Sequence, residues 1–226
     1  MTLRNNVKST TVPDYSRKQE ICTFISHVIG IPVALLILGY GIFLSRHSTM
    51  TAFDLLGVII FAISAFTVYF VSSVYHFADN TCSKKKLLRV LDHCVIYLLI
   101  AGTYTPICIK LIEESSSFGI GLFMLIFQWV GAIIGISLNA FFFHNKAARI
   151  ISFILYVLMG WLALFCGSFL YIQFKVFGFI LVGGIVYTIG SILYAIGHDL
   201  KWFHFVFHIF VLLGTIIQTI GVFFLY

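Results

Sequence analysis

The chain has 226 residues, 61% of them hydrophobic and only 10% charged, with a formal net charge of +6. An ordinary soluble domain is ~45–50% apolar and ~25% charged, so this composition excludes that class and points to a membrane protein. The positive charge does not imply nucleic acid, because no basic stripe with interleaved aromatics lies on a soluble face. The five cysteines (Cys22, Cys82, Cys94, Cys108 and Cys166) are odd in number and scattered, without a C-x-x-C pair. They read as small apolar side chains in helices rather than disulfides or a thiolate metal site.

About 20 apolar residues cross the ~30 Å hydrocarbon core as a helix. Residues 1–21 are polar and read as a mobile, cytoplasmic tail. They are not a secretory signal, because no small-residue cleavage site follows. The transmembrane domain then occupies 22–226 and contains seven apolar runs. The first is 22–45. The second, 52–77, opens on Thr51 and Asp54 as a capping box. The third, 88–110, contains Pro106, which removes one backbone donor and predicts a kink. The fourth, 118–139, carries Gly131 and Gly135, a small-xxx-small pair that predicts a close helix contact. The last three are 148–171, 175–196 and 202–225. The fold class is an all-α bundle of seven transmembrane helices, multi-pass in the cell membrane. Eleven of the fourteen lysines and arginines fall on the side of the N-terminus, including Lys84, Lys85, Lys86, Arg89 and Lys201. Only Arg46, Lys110 and Lys175 fall on the other. The excess places the N-terminus in the cytoplasm and the C-terminus outside, the reverse of a G-protein-coupled receptor.

Ionisable side chains inside such spans are functional hypotheses by default. Asp92 lies one turn into the third run. His76 ends the second, and His204 and His208 open the seventh. The topology puts all four in one slab near the cytoplasmic face. Residues four apart share a helix face, so His204 and His208 can grip one ion, with His76 as a third ligand. Three imidazoles with an open position are the ligand set of catalytic zinc, although imidazole also suits Cu, Ni or Fe. Asp92 would then serve as general base toward the zinc water. Ser72, four residues before His76, would orient a ligand or donate to an oxyanion. The competing reading is that Ser72 bonds its own i−4 carbonyl. His27, His47, His93, His144 and His198 read as interfacial, the "KKK" run as a solvated, topology-setting loop, and the phenylalanines as lipid contact and packing.

The stretches "SSVYH" (Ser72 to His76), "LRVLDHCVIYLLIAGTYTPI" (Leu88 to Ile107), "GGIVYTIGSILYA" and "HFVFHIFVLLG" resemble the hemolysin III family, which sits with progestin and adipoQ receptors and alkaline ceramidases in one superfamily. The resemblance covers the whole seven-helix region, and the short tail is similar to the bacterial branch. It implies zinc held by His76, His204 and His208 near the cytoplasmic face, with Asp92 on the zinc water and Ser72 beside it. Where many relatives carry a further histidine, this chain has Gln218. Three functions follow as expectations: a zinc-dependent hydrolase of a lipid amide or ester, with a membrane lipid as substrate; a pore-forming cytolysin; or a receptor of membrane state with a structural zinc completed by Asp92. Assembly as a homo-oligomer stays open.

Overall fold

The computed structural model describes residues 2–79, 82, 84–196 and 202–226. His198, Asp199 and Lys201, which the sequence reading used, lie outside the described residues. Among the described residues there are nine α-helices, one 3₁₀ turn and no strand. The helices are α1 (Leu3–Ser9), α2 (Arg17–His47), α3 (Ala52–Phe77), α4 (Lys85–Glu113), α5 (Phe118–Phe142), α6 (Lys146–Gly160), α7 (Leu162–Phe165), α8 (Phe174–Ile196) and α9 (Trp202–Phe223). Six of them, α2 to α5 with α8 and α9, are long and apolar enough to cross a membrane.

Local chemistry sets the helix starts. Ser16 and Gln19 form a capping box that begins α2 at Arg17, a turn before the apolar run opens at residue 22. Thr51 and Asp54 form the expected capping box at α3. Helix α4 runs through Pro106 without interruption. Gly131 and Gly135 do mark close contacts. Met159 of α6 packs on the first and the Tyr97 ring of α4 on the second, where any Cβ would collide.

The run expected at 148–171 differs. Helix α6 stops at Gly160, and a four-residue helix and the 3₁₀ turn Ser168–Leu170 follow, with Gly167 between them in the left-handed region (φ 65°). Fifteen residues of helix reach only ~22 Å, short of the ~30 Å core. Such a break frees backbone carbonyls that need new partners. They are supplied from neighbouring helices: Gln128 Nε2 donates to Met159 O at 2.8 Å, and the Tyr104 hydroxyl donates to Gly160 O at 2.6 Å.

Consecutive helices α2 to α6 pack side by side, α8 packs on α9, and α9 closes back onto α2. Helix α4 is the most buried of the six spans. Large apolar side chains such as Leu36 and Phe53 point outward and stay exposed, the surface a lipid-embedded bundle presents. The N-terminal residues are not a free tail. Asn6 is buried, and its amide donates to Asn139 O and Ala140 O at the end of α5. Arg89 donates to Thr11 O and Lys86 to Lys8 O, so the segment is strapped across one end of the bundle.

Candidate metal centre

His76 sits in the last turn of α3, and His204 and His208 in the first two turns of α9. All three are buried. One ring nitrogen from each lies within 4.8 Å of the others. The converging atoms are the three Nε2 atoms: His204 Nε2 is 3.3 Å from His76 Nε2 and 2.9 Å from His208 Nε2. A shared proton can satisfy one pair of facing ring nitrogens, but a three-way convergence leaves lone pair against lone pair. A cation resolves that conflict. Tetrahedral zinc with Zn–N of about 2.0–2.1 Å separates its ligand nitrogens by about 3.3 Å, close to what the rings adopt. The cluster could hold a metal ion.

The far sides of these rings are also occupied. His76 Nδ1 is 2.6 Å from Glu20 Oε2, and Glu20 Oε1 accepts from Lys85 Nζ at 2.9 Å. Lys85 Nζ donates further to Tyr75 O and Ala78 O, the last carbonyls of α3. Both Glu20 and Lys85 are buried. His208 Nδ1 contacts His27 Nε2. His204 Nδ1 has no hydrogen-bond partner among the described residues, and its ring is stacked by Tyr15 with centroids 5.1 Å apart. Burial, with Tyr194 and acids nearby, raises the Tyr15 phenol well above its ordinary range, so it remains a neutral hydroxyl.

A cavity of about 170 Å³ adjoins the cluster, bounded by residues of α2, α3, α4, α6, α8 and α9. Ser72, Asp92, His204 and His208 are among its polar lining residues, and side chains such as Val68, Leu99 and Phe207 supply apolar walls. The Ser72 hydroxyl is buried without a hydrogen-bond partner among the described residues, so it makes no bond to its own i−4 carbonyl.

The structure therefore brings His76, His204 and His208 to one point, with Ser72 and Asp92 lining the same cavity as the α9 pair. Two sequence expectations are corrected. His27, expected at the interface, is 2% exposed and packed between Tyr69 and His208, because α2 starts early and carries it nearly three turns into the bundle. Lys85, expected in a solvated loop, is 1% exposed, because its ammonium turns inward to Glu20 and the end of α3. Glu20 and Tyr15 were not singled out in the sequence, and Tyr15 carries no pattern there that would mark it. The seven-residue spacing of Glu20 and His27, which puts them on one helix face, was the available clue. His47 and His144 are exposed, and His93 bonds the carbonyl of Arg89 in its own helix.

The family model described as haemolysin-III related matches residues 15–219. The chain belongs to the haemolysin III family. It is 32% identical over 203 residues to the "Hemolysin-3 homolog" of Bacillus subtilis (strain 168), covering 89% of this chain and 91% of that relative. It is 33% identical over 204 residues to "Hemolysin-3" of Bacillus cereus, covering 88% and 87%. Membership of the haemolysin III family and six apolar spans make this a multi-pass membrane protein. The matched haemolysin III region takes in every residue of the candidate centre, from Tyr15 to His208.

Proposed function

We propose that the protein is an integral-membrane, zinc-dependent hydrolase acting on an amide or ester bond of a membrane lipid. One observation carries this reading: three buried imidazoles converge through Nε2 beside a largely apolar cavity that Asp92 and Ser72 also line. Three histidines leave one position for solvent or substrate, the pattern of a catalytic rather than a structural zinc site. When bound, zinc supplies a Lewis acid and makes water nucleophilic at neutral pH. The buried Asp92 carboxylate on the same cavity wall would take up a proton from that water. The unpartnered Ser72 hydroxyl donates to the oxyanion that develops on the scissile carbonyl. Val68, Leu99 and Phe207 accept the acyl chain by apolar contact. The broken segment from Lys146 to Leu170 completes a seventh crossing, its inner carbonyls held by Gln128 and Tyr104. The basic excess supports an orientation with the N-terminus, and with it the histidines, on the cytoplasmic side.

The test uses purified protein in phosphate-free detergent, a panel of lipid amides and esters, and metal analysis. About one zinc per chain and turnover of at least one lipid class are expected. Asp92→Asn should keep the zinc and lower turnover by roughly 10²–10⁴. A fully zinc-loaded wild type with no turnover on the panel overturns the hydrolase reading.

The names of the two Bacillus relatives favour a second reading, membrane lysis by a pore. A conducting path needs polar lining through the full bilayer, and this cavity is lined largely by apolar surface. Liposome leakage that persists in the His204→Ala, His208→Ala double variant selects the pore.

A further inference from the structure

We infer that the first span, α2, is the positioning helix of the metal centre, with Glu20 orienting His76 and His27 orienting His208. The inference rests on the metal reading of the three imidazoles and adds residues on the far side of the rings. Glu20 and His27 are seven residues apart, two turns along one helix face, and both are buried. A carboxylate only accepts hydrogen bonds. Glu20 at 2.6 Å therefore requires the proton of His76 on Nδ1, and this leaves Nε2 as the ligand atom. His27 Nε2 meets His208 Nδ1, and as the acceptor there it holds the proton of His208 on Nδ1 and leaves Nε2 as the ligand atom. Both Nε2 atoms that remain face His204 Nε2. One face of α2 thus selects the same ring nitrogen in ligands from two different helices.

Lys85 makes this arrangement tenable. A buried carboxylate without a counter-charge is strongly destabilising. The Lys85 ammonium neutralises Glu20 and is itself fixed on Tyr75 O and Ala78 O, on the helix end that bears His76. Ligand, orienting carboxylate and counter-charge form one closed unit.

The decisive experiment titrates the full chain in detergent with Zn²⁺ alone and with Co²⁺ alone. Glu20→Gln is expected to weaken both metals by about 10–100-fold and to shift the visible Co²⁺ bands. His27→Phe, which keeps the ring volume, is expected to weaken them about tenfold. The Glu20→Gln, Lys85→Met double variant removes both buried charges together and leaves neither unpaired. It should remain monodisperse and show the same loss as Glu20→Gln. Ring ¹⁵N spectra of zinc-loaded wild type give a reading that needs no variant: His76 and His208 should carry protons on Nδ1 and metal on Nε2. Unchanged affinity and Co²⁺ bands in the double variant, or metal on Nδ1 of His76, overturn the inference. A wild type that binds neither metal overturns the metal reading itself, a distinguishable failure.

Discussion

At one end of the bundle, Lys110 Nζ lies 2.7 Å from Asp54 Oδ2 and 3.0 Å from Glu113 Oε2. Thr51 adds its backbone N–H to Asp54 and its hydroxyl to Glu113. At the other end of α3, three histidines point their Nε2 atoms at one another. Burial does not separate these regions: Asp54 is 0% exposed and His76 1%. What separates them is the sign of the neighbours. The Lys110 cluster joins the start of α3 to the end of α4 with one ammonium against two carboxylates, so its anions already face a cation from within the chain. The histidine cluster is complete only on its outer side, where Glu20 meets Lys85. Its inner side presents acceptors to acceptors, an arrangement that asks for a cation.

The contrast breaks most visibly at the ligands. Replacing both His204 and His208 by alanine should drop bound zinc from about one per chain to background, read by metal analysis after gel filtration. Lys110→Met, at the opposite end, should leave zinc content at the wild-type level. Retention of zinc by the double variant would mean that the imidazole cluster is packing and not a site.

The sequence made different parts of this molecule legible for different reasons. The runs at 52–77 and 175–196 match α3 and α8 within a residue or so because lipid demands about 20 apolar residues and polar ones punctuate them. Helix α2 was read short because its first turn, with Arg17, Lys18, Gln19 and Glu20, is polar, and hydropathy does not see a capping box. The break after Gly160 was hidden because the groups that permit it, Gln128 and Tyr104, come from other helices. The same logic divides the site. His76, His204 and His208 stand out because imidazoles are conspicuous among phenylalanine and valine. Glu20 and Lys85 do not, because charge is ordinary in the polar stretches where they lie, and only tertiary pairing buries them. His27 is the intermediate case: a visible residue whose partner, 181 positions away, was not.

Stability measurements sharpen the comparison further. Lys85→Met strands the Glu20 carboxylate in a buried position with only the His76 ring beside it, and breaking such a pair costs about 3–5 kcal/mol. Thermal unfolding in detergent should show this loss, and the added Glu20→Gln change should recover most of it. Lys110→Met should cost less, about 1–2 kcal/mol, for two reasons. The Lys110 side chain is 26% exposed, so water replaces part of what the ammonium provided. Asp54 also keeps the Thr51 backbone N–H that its capping role supplies. If the two substitutions destabilise equally, the Glu20–Lys85 pair is as well solvated as the Lys110 cluster. The buried counter-charge argument for Glu20 then fails, even if the histidines still bind metal.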